Sequence, residues 1–449
     1  MNEKNVMLEA TIIKLAESKK YASLRDFLAT LNGADIAEAF GELSDQTLPL
    51  VFRLLPKELA AEVFVEMEAE QQETLIRGFS DVELKAVVEE LYVDDAVDLV
   101  EEMPANVVSR ILSQADPDTR KMINDILQYP DDSAGSEMTT EFVELQSDMT
   151  AAECIAHIRR VGIDKETINT CYITEKGHYL QGVVSIRSLI LADDDTLCGD
   201  LMSPSVVSVS TLEDKETVAQ MFAKYAFNAM PVVDKDGRLV GIVTMDDAID
   251  IMEEETTEDM EKMAAIVPSD RPYLQTGVFT IWKNRIPWLL ILMLAATFTG
   301  LVIRGFTDTL LAVTVLIAYI PMLMDAGGNS GSQASATIIR GLSIQELEFR
   351  DIWQVLWKEL RVSLLCGVTM AAVNFAKLMI LDRVSLLVAA VVSVTLVISV
   401  VIAKLLGSLF PMLAEKLGFD PALMASPIIT TVVDLTSLVI YLSLASAIL

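Results

Sequence analysis

The chain has 449 residues, 52% of them hydrophobic, with 34 Lys plus Arg against 65 Asp plus Glu and a formal net charge of −31. Charge and apolar residues are segregated: residues 286–449 hold 10 acidic and 9 basic side chains, whereas residues 1–285 carry a net −30. This balance argues against a basic nucleic-acid groove and against intrinsic disorder, and two histidines (His157, His178) exclude a His-rich zinc site.

Four cysteines (Cys154, Cys171, Cys198, Cys366) lack paired metal spacing and point to a reducing compartment. The start, MNEKNVMLEATIIKLAESKK, reads as a polar helix rather than a signal peptide. Residues 1–130 then carry short amphipathic segments (ELAAEVFVEM, ETLIRGF, ELKAVVEELY, DAVDLVEEM, ANVVSRIL) with apolar residues at i, i+3 and i+4, separated by polar breaks and prolines. This predicts a small α-helical solenoid. Asp94 and Asp98, at i and i+4, share a helix face, where like charges repel unless a cation bridges them.

Residues 137–256 hold two copies of one pattern: a Met-Thr or Met-Ser start, a strand, an amphipathic helix, a hairpin (turns EKGH and DKDG) and a closing helix. The pair resembles a tandem CBS (Bateman) module. The closing GIVTMDD matches that family's ribose-holding Thr and Asp at Thr244 and Asp247; in the first copy Ser185 matches the Thr but Ser188 replaces the Asp. The segment IDIMEEETTEDMEKMAAIVPSDRPYL follows, and as a helix it would place Asp250, Glu254, Glu258 and Glu261 on one stripe. A helix of about 20 residues would span about 30 Å and lead into the membrane.

Five apolar runs follow, near residues 286–303, 310–331, 362–381, 384–412 and 424–449, each long enough to cross a hydrocarbon core. Lys283, Arg285, Arg340, Arg350, Lys358 and Arg361 place the acidic half in the cytoplasm and the C-terminus outside by the positive-inside rule. Lys377 and Lys404 are expected to reach toward an edge. Asp434 stands in the last run (SPIITTVVDLTSLVIYL) with no basic neighbour in sequence; it reads as a cation site facing water, against a protonated or helix-bonded carboxylate. The Ser426-Pro427 pair is expected to free backbone carbonyls near it. The run PMLMDAGGNSGSQASATIIRGL, with Gly327, Gly328 and Gly331, reads as close helix packing.

In this order, the segments MDAGGNSGSQASATIIRGL, SPIITTVVDLTSLVIYLSLA and EEETTEDMEKMA resemble the MgtE family of magnesium channels over essentially the whole chain. The resemblance implies a multidomain integral membrane protein of the cell membrane: an acidic α-helical solenoid N domain (1–130), an α+β tandem CBS pair (131–199 and 200–256), a long connecting plug helix (257–282) and an α-helical bundle of five transmembrane helices (283–449). It implies a homodimer in the lipid bilayer, with Mg²⁺ as both transported and regulatory ion and ATP as a ligand of the CBS pair. Asp434 takes the family's last-span acid and Asp420 the acid before that span. The cytosolic metal-binding acids fall on Glu62, Asp94, Asp98, Asp247, Asp250, Glu255, Glu258 and Asp259. Ser426, Ala226 and Ser136 depart from residues common in the family. A transporter of Co²⁺ or Ca²⁺, or a membrane-anchored nucleotide sensor without transport, are the alternatives; no Ser-His-Asp, Walker-type or metal-hydrolase motif points to an enzyme.

Overall fold

A computed structural model describes residues 3–269, 273–274, 276–424 and 426–449. The chain divides into two units, residues 1–252 and 253–449.

The first unit opens with helices α1 (Glu3–Glu17), α2 (Tyr21–Leu28), α3 (Gly33–Phe40), α4 (Leu48–Phe52), α5 (Lys57–Val65), α6 (Ala69–Gly78), α7 (Asp81–Val88), α8 (Val93–Glu102), α9 (Ala105–Gln114) and α10 (Pro117–Ile126). Side-chain caps fix the starts of α7 and α10: Ser80 and Glu83 form a reciprocal capping box on α7, and Asp116 caps α10. Apolar stripes such as Leu75, Ile76, Leu84, Val97 and Ile111 are buried in one core, which continues into the second CBS copy through Ala134, Met138, Val218 and Phe222. Arg110 ties successive turns together, donating to the carbonyls of Ile76 (2.5 Å) and Phe79 (2.6 Å) and to Asp81 (2.9 Å).

The duplicated sequence folds as a duplicated structure. In the first copy, β1 (Glu144–Leu145), α11 (Ala151–Val161), β2 (Thr170–Thr174), β3 (Leu180–Ser185) and α12 (Ile186–Leu191) follow in order; a short α13 (Cys198–Leu201) leads on. In the second, β4 (Val209–Ser210), α14 (Lys215–Tyr225), β5 (Ala229–Val233), β6 (Leu239–Thr244) and α15 (Met245–Met263) repeat it. Both sheets pair the first strand parallel and the hairpin antiparallel, with register shifts at Ile173/Thr174 and Val232/Val233. The hairpins need left-handed backbone at Gly177 (φ 94°) and Gly237 (φ 82°), which their turn sequences supply. Tyr172, fully buried, packs with Ala229, Leu239 and Ile242 and so joins the copies.

The connecting helix differs from the expected 257–282. It begins at Met245 as the closing helix of the second copy and ends at Met263, where Ala265 turns left-handed (φ 54°) and Pro268 follows. Residues 264–269 form no helix, and 270–272 and 275 lie outside the described residues.

The second unit contains α16 (Val278–Gly305), α17 (Thr307–Ala312), α18 (Ile320–Ser343), α19 (Ile352–Lys377), α20 (Leu386–Lys416) and α21 (Ser426–Ile448). Among the described residues four helical stretches are long and apolar enough to cross a membrane: 278–305, 349–382, 386–416 and 421–448. The second expected span is not one continuous apolar run. It breaks into α17, a 3-10 segment (Thr314–Tyr319) and α18, whose Asp325, Asn329, Ser332 and Gln333 make it polar. Its glycines bring the helices together as the sequence implied: a Cβ on Gly407 of α20 would stand 2.3 Å from the Gly331 carbonyl oxygen. Two expectations are corrected. Lys404 is buried (6% exposed) because it shares the inward face of α20 with Ala403, Gly407 and Ser408 rather than reaching an edge. Pro427 is the second residue of α21, where its missing N–H breaks no helical bond, so no carbonyls are released there. The side chain of Ser426 lies outside the described residues.

Candidate cation sites

The membrane unit holds a cavity of about 220 Å³ between α18 and α21, lined by Asp325, Asn329, Ser332, Thr430 and Asp434, with Met324 and Gly328 beside them. Helical spacing builds it. Asp325, Asn329 and Ser332 recur at i, i+4 and i+7 on α18, and Thr430 and Asp434 at i, i+4 on α21. Gly328 lets α21 lean in, since a Cβ there would meet Thr430 Cγ2 at 2.8 Å. Asp434 Oδ1 is buried and has no hydrogen-bond partner among the described residues. A carboxylate oxygen left this way in apolar surroundings is costly unless a cation or proton meets it. Asp434 was legible as a lone acid in an apolar run; Asp325 was passed over because its Gly-Asn-Ser context reads as packing, although the same rule applies to it.

A second set of acids gathers in the first unit. Asp94, in the first turn of α8, is buried (8% exposed), and its Oδ1 accepts the Asp95 N–H at 3.0 Å. Burial, then the charge of Asp247, pushes the Asp94 carboxyl well above the usual range. The same two causes raise Asp95 to about 7. Asp98 is exposed, yet the protein packed around it and then the charges of Glu137 and Asp247 push it up to about 8. Glu166 rises to about 8 through burial and then Asp95, Asp246 and Asp247, and its Oε2 is buried without a hydrogen-bond partner. Glu141, also raised chiefly by burial, accepts the Val93 N–H at 3.0 Å. Asp247 accepts the Thr244 hydroxyl (2.5 Å) and N–H (3.1 Å). The matching pair in the first copy is Ser185 and Ser188, their hydroxyls 2.8 Å apart.

The structure therefore brings Asp94, Asp98 and Asp247 together, and adds Asp95, Glu141, Glu166 and Asp246, which sequence reasoning missed. The doublets Asp94-Asp95 and Asp246-Asp247 were a visible signal; Glu141 and Glu166 arrive from loops that only the tertiary fold places. Glu62 stands apart, exposed on α5 against Gly33. Asp250 is exposed on α15. Ala226 is the left-handed C-cap of α14 (φ 53°).

The third set lies in the second unit, at the end of α15. Lys262 donates to Asp420 and to Glu258, both at 2.7 Å. Burial pulls the Lys262 ammonium down, and these two carboxylates more than offset it, so its pKa rises. Asp259 is raised by burial and then by Asp420, and accepts from Ser343 at the end of α18. Glu255 is half-buried one turn earlier. Met263 packs on Ile339 and Ala422. Lys262, not foreseen, thus joins Glu258 and Asp420, two of the expected metal ligands. Among the described residues no three His, Cys, Asp or Glu side chains form a ready-made metal cage. The donor sets are nonetheless all oxygen, which suits a hard divalent ion.

A helical bundle with an acid-lined cavity, in a chain that also carries an acid-rich solenoid and a CBS-type pair, defines a membrane protein that handles cations. Family profiles agree: "Divalent cation transporter" matches residues 320–444, "MgtE intracellular N domain" residues 31–132, and the CBS domain residues 198–254. The magnesium transporter MgtE of Thermus thermophilus is 39% identical over 95% of both chains, and that of Bacillus subtilis 31% identical over 97% of this chain and 96% of its own. A solved structure of the cytosolic domain of the Mg²⁺ channel MgtE in complex with ATP superposes with a TM-score of 0.52 at 35% identity, covering 54% of this chain and 99% of that one. The chain belongs to the MgtE family.

Proposed function

We propose that this protein is a Mg²⁺ channel or transporter of the cell membrane, closed from the cytoplasmic side when Mg²⁺ binds its acidic soluble part. The observation that carries the reading is Asp434, which lines a polar cavity among apolar helices and whose Oδ1 is buried with no hydrogen-bond partner among the described residues. Mg²⁺ sheds water reluctantly and prefers octahedral oxygen ligation, and carboxylate, amide and hydroxyl oxygens around a cavity can bind it with part of its water shell kept. The relatives named magnesium transporter support the choice of ion.

In this reading α18 crosses the membrane with its polar stripe turned toward α21. Lys283, Arg285, Arg340 and Arg350 keep the soluble part cytoplasmic and leave the C-terminus outside. Two chains form a homodimer about a twofold axis.

Closure follows from charge. Asp94, Asp95, Asp98, Glu166 and Asp247 repel one another when ionised, and Mg²⁺ selects the gathered arrangement because it binds there better. Glu255, Glu258, Asp259 and Asp420 would respond to the ion at the end of α15. Glu62 and Asp250 are both exposed and would meet an ion together with a neighbouring segment or chain. Thr244 and Asp247 suit the ribose of a nucleotide such as ATP, because a carboxylate accepts hydroxyl hydrogens and repels phosphate; the ATP complex of the related cytosolic domain supports this ligand.

The test is flux into proteoliposomes with Mg²⁺, Ca²⁺, Co²⁺ and Na⁺ compared and Mg²⁺ on the cytoplasmic side varied. Mg²⁺ should pass and should inhibit its own passage; nucleotide binding with no divalent flux would leave a sensor instead.

A further inference from the structure

The membrane cavity contains two acids of the same chain. Asp325 on α18 and Asp434 on α21 line the same space of about 220 Å³. Among the described residues no lysine or arginine lines it. Two lysines within the apolar helices are placed elsewhere: Lys377 pairs with Asp382 at 2.9 Å, and Lys404 is buried on α20. The buried Asp434 oxygen has no donor from the protein. The remaining polar lining, Asn329, Ser332 and Thr430, can turn oxygens inward. At about 30 Å³ per water the space holds roughly seven waters, enough for an ion that keeps much of its hydration.

We infer that Asp325 is a second cation-binding carboxylate of the pathway, so that the cavity of a single chain carries the two negative charges that match a divalent ion. The inference rests on the reading of Asp434 as the cation site. It alters the expected charge balance, since the pair need not be assembled from two chains. It also makes the pair a determinant of valence: a monovalent ion leaves one carboxylate uncompensated in a place where that is costly.

The test uses the full chain in lipid nanodiscs, treated with a hydrophobic carbodiimide that modifies membrane carboxyl groups, with labelling of Asp434 read by mass spectrometry during titration with MgCl2 or NaCl. Mg²⁺ should protect Asp434 and Na⁺ at equal ionic strength should not. Asp325→Asn should raise the half-protecting Mg²⁺ concentration about tenfold or more, because one ligand charge is lost, and Asp325→Glu should restore most of the protection. Asp325→Ser serves if the Asn variant does not fold. Unchanged protection in Asp325→Asn or Asp325→Ser overturns the paired site. Protection of the wild type without any Mg²⁺ flux would remove transport and keep the site; absence of Mg²⁺ protection in the wild type would remove both.

Discussion

Asp94, Asp95, Asp98 and Glu166 are acids that this fold makes reluctant to ionise, with Asp95 at about 7 and Asp98 and Glu166 at about 8. Their folded pKa values lie above the unfolded ones, so the folded state binds more protons between about pH 4 and pH 8, and stability falls as pH rises through that window. The melting temperature of the full chain in detergent with chelator should therefore decrease from pH 5 to pH 8.5, and millimolar Mg²⁺ should reduce the loss; a melting temperature that climbs with pH would contradict the assignment. Mg²⁺ must also displace protons, so binding heats at pH 7 should depend on the ionisation enthalpy of the buffer. Asp95→Asn should raise the melting temperature in chelator and shrink the stabilisation by Mg²⁺. At this scale the sequence was legible where chemistry contradicts its surroundings, as for Asp434 in an apolar run. It was silent where partners come from afar: nothing near Glu166 or Glu141 announces Asp95 or Val93, and nothing near Lys262 announces Asp420.

The elements were easier to read than their partners. The periodicity of ELKAVVEELY and ANVVSRIL reports burial directly, and α7 and α9 form there; the repeated strand-helix-hairpin pattern reproduces in both sheets, down to the position of the register shift. Boundaries set by backbone conformation were not legible. An acidic stretch alone does not reveal that α15 begins at Met245, nor that Ala265 adopts a left-handed turn and ends it. Two predictions belong to elements. Gly407→Ala puts a methyl group against the Gly331 carbonyl and should cost about 1–3 kcal/mol by overpacking, read as a lowered melting temperature in detergent; Gly300→Ala, with nothing within 4 Å, should be silent. Lys262→Met leaves Glu258, Asp259 and Asp420 without their ammonium partner. Amide exchange across residues 256–263 should then accelerate about tenfold in chelator, the equivalent of about 1.4 kcal/mol, and Mg²⁺ should restore protection; exchange rates unaffected by the substitution would dismiss Lys262 as a tether.

For the whole molecule, charge is segregated along the chain, with a net −30 over residues 1–285 against −1 over the apolar residues 286–449. The solenoid core runs on into the second CBS copy through Met138 and Phe222, so removing residues 1–130 would strip that core rather than only its charges. Asp94→Asn, Asp95→Asn and Asp98→Asn combined are a cleaner probe: they keep the packing and should leave a channel that passes Mg²⁺ but is inhibited only at higher cytoplasmic Mg²⁺. The measurement that bears most directly on the account is the initial rate of Mg²⁺ entry into proteoliposomes containing Asp434→Asn, with folding verified by a wild-type elution profile. The rate should drop to that of protein-free vesicles; entry at the wild-type rate would show that Asp434 does not meet the ion.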